Sequence, residues 1–155
     1  HEAHNRDIQI IRQMEPPPEM IWSDAYQIRQ VLLNLLTNAM HAVNSKGAIT
    51  LAVEDVDSHQ VITVSDTGPG IARENLAKIF EPFFSTKPPG QGTGLGLFVS
   101  RGIVEKLGGT IEVASRIGQG AHFRIRLPKH LNGTDELNTS CGENWVEKIK
   151  PRLTE

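Results

Sequence analysis

Cysteine is almost missing. Cys141 is the one example in 155 residues, which excludes an internal disulfide framework and suits a reducing compartment. Long apolar runs are missing too. No stretch approaches the roughly 18 residues needed to cross a bilayer, and no signal-peptide pattern opens the chain at HEAHNRD. Neither charge dominates: 16 Lys and Arg stand against 18 Asp and Glu, a formal net of −2. That balance leaves no electrostatic footprint for duplex DNA or an anionic membrane. Aromatic residues are few, and Phe80, Phe83 and Phe84 are three of only five phenylalanines. The apolar 38% is clustered into periodic runs, which argues for a real core in one compact domain. The abrupt start reads as that of a fragment cut from a longer chain.

Residues 7–14, DIQIIRQM, form a branched apolar run and predict a strand, and the prolines of 15–20 break it. Residues 23–43 predict the strongest helix. Ser23 or Asp24 can cap it, and Gln27 stands where a capping box would put it. Ile28, Val31, Leu32, Leu35, Leu36, Ala39, Ala42 and Val43 fall on one face of that helix. Residues 48–56 and 59–66 alternate as two strands about a tight Asp57–Ser58 connection. A short helix is expected over 72–80, a mobile loop over 81–94 and a second long helix over 95–109. Strands at 110–116 and 121–128 follow. Helices and strands come in groups rather than strict alternation. That predicts an α/β fold: a two-layer α/β sandwich with a mixed, largely antiparallel sheet and helices on one face. Residues 1–128 make the domain, and 129–155 change character into a polar tail holding Cys141 and Trp145, with a helical turn or two possible in ENWVEKIK.

Four stretches could carry chemistry. Asn34 and Asn38 are four apart on the first long helix, flanked by Gln30 and His41 at the border of the apolar face. They read either as a solvated edge or as amides wanted for a ligand, since asparagine is a poor helix former and its carbonyl suits a hard cation such as Mg²⁺. Asp66 closes a strand and is followed by Gly68, Pro69 and Gly70. It is either a turn former or a fixed carboxylate that accepts an exocyclic amine such as adenine's, with the glycines leaving room for a flat base. Gly92, Gly94 and Gly96 in GTGLGL open the second long helix, where backbone N–H groups and the helix dipole favour phosphate. The spacing is neither the dinucleotide fingerprint nor a Walker loop. In FEPFFSTK, the phenylalanines read as a satellite hydrophobic cluster or as a hinge, with Lys87 in reach of a phosphate.

In order and spacing, NLLTNA, DTGPGI, FEPFF and GTGLGL resemble the N, G1, F and G2 boxes of the ATP-binding domain of sensor histidine kinases. The resemblance runs from about Asp7 to Pro128. The FFSTK lid and GLGLFVSRGIVEKLGGTIEVAS are similar to the short-lid kinases of the nitrogen-regulation-sensor type. The resemblance implies ATP and Mg²⁺ as cofactors. It assigns Mg²⁺ to Asn38, puts Asn34 near the triphosphate as its catalytic companion, has Asp66 read the adenine amine, and has Gly68 and Gly70 shape the base pocket. Gly92, Gly94 and Gly96 would cradle the phosphates. The rest of the binding set it implies is His41, Ile71, Phe84, Lys87, Thr93, Leu95 and Leu97.

The implied reaction moves the γ-phosphoryl group of ATP to a histidine on a dimerisation and phosphotransfer domain of the same parent. A response regulator is the next partner. The implied location is cytoplasmic, compatible with a membrane-anchored parent, and the isolated fragment is expected to be a monomer without nucleic-acid or membrane contact. Two departures stand out. His41 replaces a usual lysine, with Lys87 as a compensating charge, and Ala121 replaces a usual hydroxyl residue in GQGAHF. His1 and His4 lie too close to the first strand to be the acceptor, and His59, His122 and His130 read as structural or solvated. The rivals are an ATP hydrolase of the same superfamily and a non-catalytic nucleotide-binding module. The hydrolases carry a glutamate where this chain has Asn34, and an amide cannot act as a general base.

Overall fold

The computed structural model describes residues 7–88 and 92–129. In chain order the elements are β1 (Asp7–Gln13), α1 (Ala25–Val43), β2 (Lys46–Val56), β3 (His59–Asp66), α2 (Arg73–Leu76), α3 (Gly96–Lys106), β4 (Thr110–Ser115) and β5 (Ala121–Pro128). The strands make one five-stranded sheet in the order β1-β2-β3-β5-β4. Only β1 and β2 run parallel; the other three pairings are antiparallel. The expected mixed, largely antiparallel sheet is therefore the observed one.

Helix α1 starts at Asp24, whose carboxylate accepts the N–H groups of Tyr26 (3.0 Å) and Gln27 (3.1 Å). The reciprocal half of the expected capping box does not form: Gln27 Oε1 is buried and has no hydrogen-bond partner among the described residues. Val31, Leu35, Ala39 and Val43, spaced by four, make its fully buried stripe. They meet Ile62 and Val64 of β3, Phe123, Ile125 and Leu127 of β5, and Val104 of α3 in one core, so α1 and α3 cover the same face of the sheet. Leu35 is wholly buried, and trimming such a side chain to alanine costs about 2–5 kcal/mol.

The second helix departs from its expected length. Residues 72–80 were expected to be helical, yet α2 ends at Leu76 and the chain continues in tight turns, with Lys78 N–H on Asn75 O and Glu81 N–H on Lys78 O. Ile79 is buried in the core and Phe80 and Phe84 pack against it, which pulls the segment out of a straight helix. Pro82 adds to this, since the residue before a proline is disfavoured in the helical region. At the other end of the chain, Lys129 is buried. Its ammonium reaches Glu19 Oε2 (3.1 Å) and Asp55 Oδ1 (3.5 Å), tying the end of β5 to the proline segment. His1, His4, His130 and the tail from residue 130 on lie outside the described residues.

Candidate functional site

Asp66 is the last residue of β3 and is only 6% exposed. Its carboxylate accepts the N–H of Gly68 at 2.9 Å, the side-chain-to-backbone turn typical of aspartate. Burial pushes its pKa above the ordinary 3.8; the backbone N–H groups of Gly68 and Ala121 and the nearby His122 pull it back in part. The turn-former reading of this residue holds. It forms the turn, and it is a buried carboxylate with lone pairs to spare.

The C-terminal half of α1 collects the other motifs. Asn34, Asn38 and Ala42 are successive steps of four along one face, adjoining the buried stripe. At the first step, Asn34 Nδ2 donates to the buried Ser100 Oγ of α3 at 2.8 Å. Its Oδ1 faces Gly96, where a Cβ would come within 2.3 Å. At the second step, Asn38 Oδ1 accepts from Lys87 Nζ at 3.4 Å, and the same ammonium lies 3.3 Å from His41 Nδ1. At the third, a Cβ on Gly68 would sit 2.9 Å from Ala42 Cβ and 2.8 Å from Asp66 Oδ1. One helix face therefore touches, in order, the start of α3, the lysine of the FFSTK segment and the loop after Asp66.

Two of the glycines stand where one stretch of backbone meets another. Gly70 has φ +76°, and a Cβ there would meet Arg116 O at 2.0 Å. Gly94 has φ +66° and abuts the backbone of Phe83 in the same way. Both let one backbone lie directly on another. Gly92 lies against Ser85 and Lys87, and Thr93 Oγ1 accepts the N–H of Leu95 at 3.3 Å. Helix α3 begins after Leu95 with no side-chain cap among the described residues, and the first N–H groups of a helix have no intrahelical acceptor.

The three phenylalanines part company. Phe80 and Phe84 pack on the core, whereas Phe83 is 77% exposed with φ +65°, uncommon for a bulky residue. Leu97 and Ile71 also pack against the core. His122 accepts or donates to Ser65 at 2.7 Å, as a structural histidine should. Ala121 is buried beside Asp66 in the register of β3 and β5.

Three contributors lie inside the quoted stretches without having been singled out there. Ser100 sits one turn after Gly96 as a lone polar residue on the inner face of α3. Ser115 ends β4, and Thr67 Oγ1 accepts the N–H of Ala48 at 2.9 Å. Only Ser100 had a readable signal, its spacing of four from Gly96. A hollow of about 630 Å³ is lined by Arg12, Gln13, Met14 and Glu15 and by none of these groups.

An α/β sandwich whose first long helix gathers an acid–glycine turn, a lysine-bearing segment and a glycine-led helix defines a nucleotide-binding class. The profile described as "Histidine kinase-, DNA gyrase B-, and HSP90-like ATPase" matches residues 23–131, and the chain belongs to that family. Within it, the chain is 43% identical over 136 residues to the sensor histidine kinase ZraS of Klebsiella oxytoca, a match spanning 87% of this chain and 29% of that protein. It is 38% identical to the sensor kinase CckA of Brucella abortus, covering 81% of this chain and 15% of that one. Among solved structures, the catalytic domain of the histidine kinase ThkA aligns with a TM-score of 0.71 and 37% identity over 79% of each chain. Full-length ShkA in complex with AMPPNP aligns at 0.73 and 35%, over 81% of this chain and 26% of that one. The chain thus corresponds to the catalytic, ATP-binding part of sensor histidine kinases and spans less than a third of the curated relatives' length. No helix of the described residues is long and apolar enough to cross a membrane.

Proposed function

We propose that this domain binds Mg-ATP and hands the γ-phosphoryl group to a histidine on a separate dimerisation and phosphotransfer domain of its parent, from which a response regulator is then charged. The observation that carries the reading is the ladder along α1, where Asn34, Asn38 and Ala42 meet the start of α3, Lys87 and the Asp66 turn within two helical turns. Asp66 would accept the adenine amine. The uncapped N-terminus of α3, with Gly92, Thr93, Gly94, Leu95 and Gly96 before it, would face the phosphates. Lys87, with His41 beside it, would neutralise phosphate charge.

The donor set suits magnesium. No cluster of three His, Cys, Asp or Glu exists among the described residues, and Mg²⁺ takes few protein oxygens and fills the rest of its shell with phosphate and water. Asn38 Oδ1 already holds a cation, the Lys87 ammonium. When bound, the metal would supply charge neutralisation at the transferring phosphorus. The chain's own part is to position: α1 and α3 are held at fixed spacing by Asn34 and Ser100, so the groups around the nucleotide are set before reaction.

Asn34 also bears on the hydrolase alternative. Its amide has no basic lone pair, and its N–H is committed to Ser100, so it is not poised to activate water. A cytoplasmic location, where ATP is supplied, and a monomeric isolated domain complete the proposal. The test mixes this chain, labelled Mg-ATP and a separately produced histidine-bearing domain. Acid-labile label on the partner's histidine is the expected result. Steady phosphate release without a partner would move the assignment to hydrolysis.

A further inference from the structure

Ser115 lies in the row of residues that crosses the sheet at Asp66: Ser115 faces Ala121 across β4 and β5, and Ala121 faces Asp66 across β5 and β3. Beyond this row the chain makes two loops, 67–72 after β3 and 116–120 between β4 and β5. They lie backbone against backbone. A Cβ on Gly70 would meet Arg116 O, and a Cβ on Gly120 would come within 1.8 Å of Asp66 O. Two hydrogen bonds join them, Gly118 N–H to Pro69 O at 2.8 Å and Ile71 N–H to Ser115 Oγ at 2.8 Å.

The Ser115 hydroxyl serves as both acceptor and donor. It accepts from Ile71 and donates its single proton to Gly120 O at 2.6 Å. That carbonyl belongs to the same rigid peptide plane as the Ala121 N–H. Ala121 faces Asp66 across β5 and β3, and the loop that Ser115 ties down through Ile71 carries the Gly68 N–H, which donates to Asp66 Oδ1 at 2.9 Å. A hydroxyl pulling on one end of the plane fixes where its other end points and polarises it.

From this chain of contacts we infer that Ser115 is a positioning residue for the Asp66 carboxylate. It ties down the Ile71 end of the loop whose Gly68 N–H holds that carboxylate, and it orients the Gly120–Ala121 peptide that pairs with Asp66 across the sheet. It does not touch the nucleotide. The inference rests on the reading of Asp66 as the adenine acceptor and adds a residue through which that acceptor is held. Alanine at 115 would leave Ile71 N–H and Gly120 O without this partner and let the peptide plane turn. Threonine would keep the hydroxyl on a side chain suited to a strand end.

The experiment measures ATP and GTP affinity for the unaltered chain, Ser115→Ala and Ser115→Thr, and follows the Asp66 carboxyl resonance by NMR as pH is varied. Ser115→Ala is expected to bind ATP about tenfold more weakly, to discriminate less between ATP and GTP, and to titrate Asp66 at higher pH. Ser115→Thr is expected to keep all three properties. An unchanged ATP-to-GTP ratio and an unmoved Asp66 titration in Ser115→Ala would overturn the inference, whatever happened to overall stability. An unaltered chain with no preference for ATP over GTP would instead sink the adenine reading itself, at an earlier step. Should Ser115→Ala fail to fold, hydrogen exchange in the unaltered chain decides: slow exchange at the Ile71 amide is required, and open-loop exchange there overturns the proposal.

Discussion

Asp66 carries its charge where burial penalises it, and this separates its contribution to the fold from its contribution to binding. Its folded pKa is raised, so it favours the folded state most below the ordinary value of 3.8 and loses that advantage as pH climbs through the folded value. Near neutrality the ionised form is a cost to the empty domain, offset in part by the Gly68 N–H that donates to it. Asp66→Asn keeps the shape and removes the charge. We expect the nucleotide-free domain to melt no lower than the parent, while ATP affinity falls roughly 10- to 100-fold, the loss of one charge-assisted hydrogen bond; calorimetric titration and thermal unfolding on the same samples check both halves. Lys87 admits a second test. Its ammonium rests on Asn38 and His41, and in Lys87→Gln we expect kcat/KM for Mg-ATP to drop about tenfold with the melting temperature little moved, since long polar contacts of 3.3 and 3.4 Å contribute little to stability. The acid-then-glycine pattern made both meanings of Asp66 readable in sequence. It could not reveal that Gly70 yields to Arg116 and Gly68 to Ala42, because those neighbours lie far away in the chain and only pairing of strands and packing of helices brings them close.

At the scale of elements, the distance between α1 and α3 is set by a side chain meeting a missing one. Asn34 fills the space that a Cβ at Gly96 would need, and its amide is bonded to Ser100 one turn further along α3. Gly96→Ala is therefore expected to push the helices apart and to cost about 1–3 kcal/mol, as overpacking does, with weaker nucleotide binding because the start of α3 moves. Asn34→Ala should cost about 1–2 kcal/mol by orphaning the buried Ser100 hydroxyl. The two changes share one contact, so the double variant should be more stable than the sum of the single losses implies; urea unfolding of all four proteins measures that coupling. Strict additivity would show that the two residues do not share a contact. Long periodic segments were the most legible part of this fold: α1, α3 and all five strands follow their apolar spacing closely. The error over 72–80 has a definite cause. Local propensity there favours helix, but Ile79, Phe80 and Phe84 are drawn onto the core, and tertiary packing overrides it. The parallel pairing of β1 with β2 also extended the latter back to Lys46, two residues before its expected start.

Taken whole, the molecule places His59 and His122 on strands, where burial shifts both, which gives stability a definite pH dependence. His122 and His59 both have pKa values below the ordinary 6.5, chiefly through burial; Asp66 works against this at His122, and Arg126 reinforces it at His59. A histidine whose folded pKa is depressed binds its proton more readily in the unfolded chain. Its contribution is therefore present above 6.5 and is withdrawn as pH falls below that value toward the folded pKa. Asp66 has the opposite sign and recovers stability on acidification, but only as pH approaches its own lower range. Between about pH 7.5 and pH 5.5 the histidines should dominate, and the melting temperature of the nucleotide-free domain should fall steadily. His122→Gln can keep a polar contact with Ser65 while removing the titration, and combining it with His59→Gln should flatten that fall. A double variant that loses stability on acidification as steeply as the parent would place the acid sensitivity elsewhere.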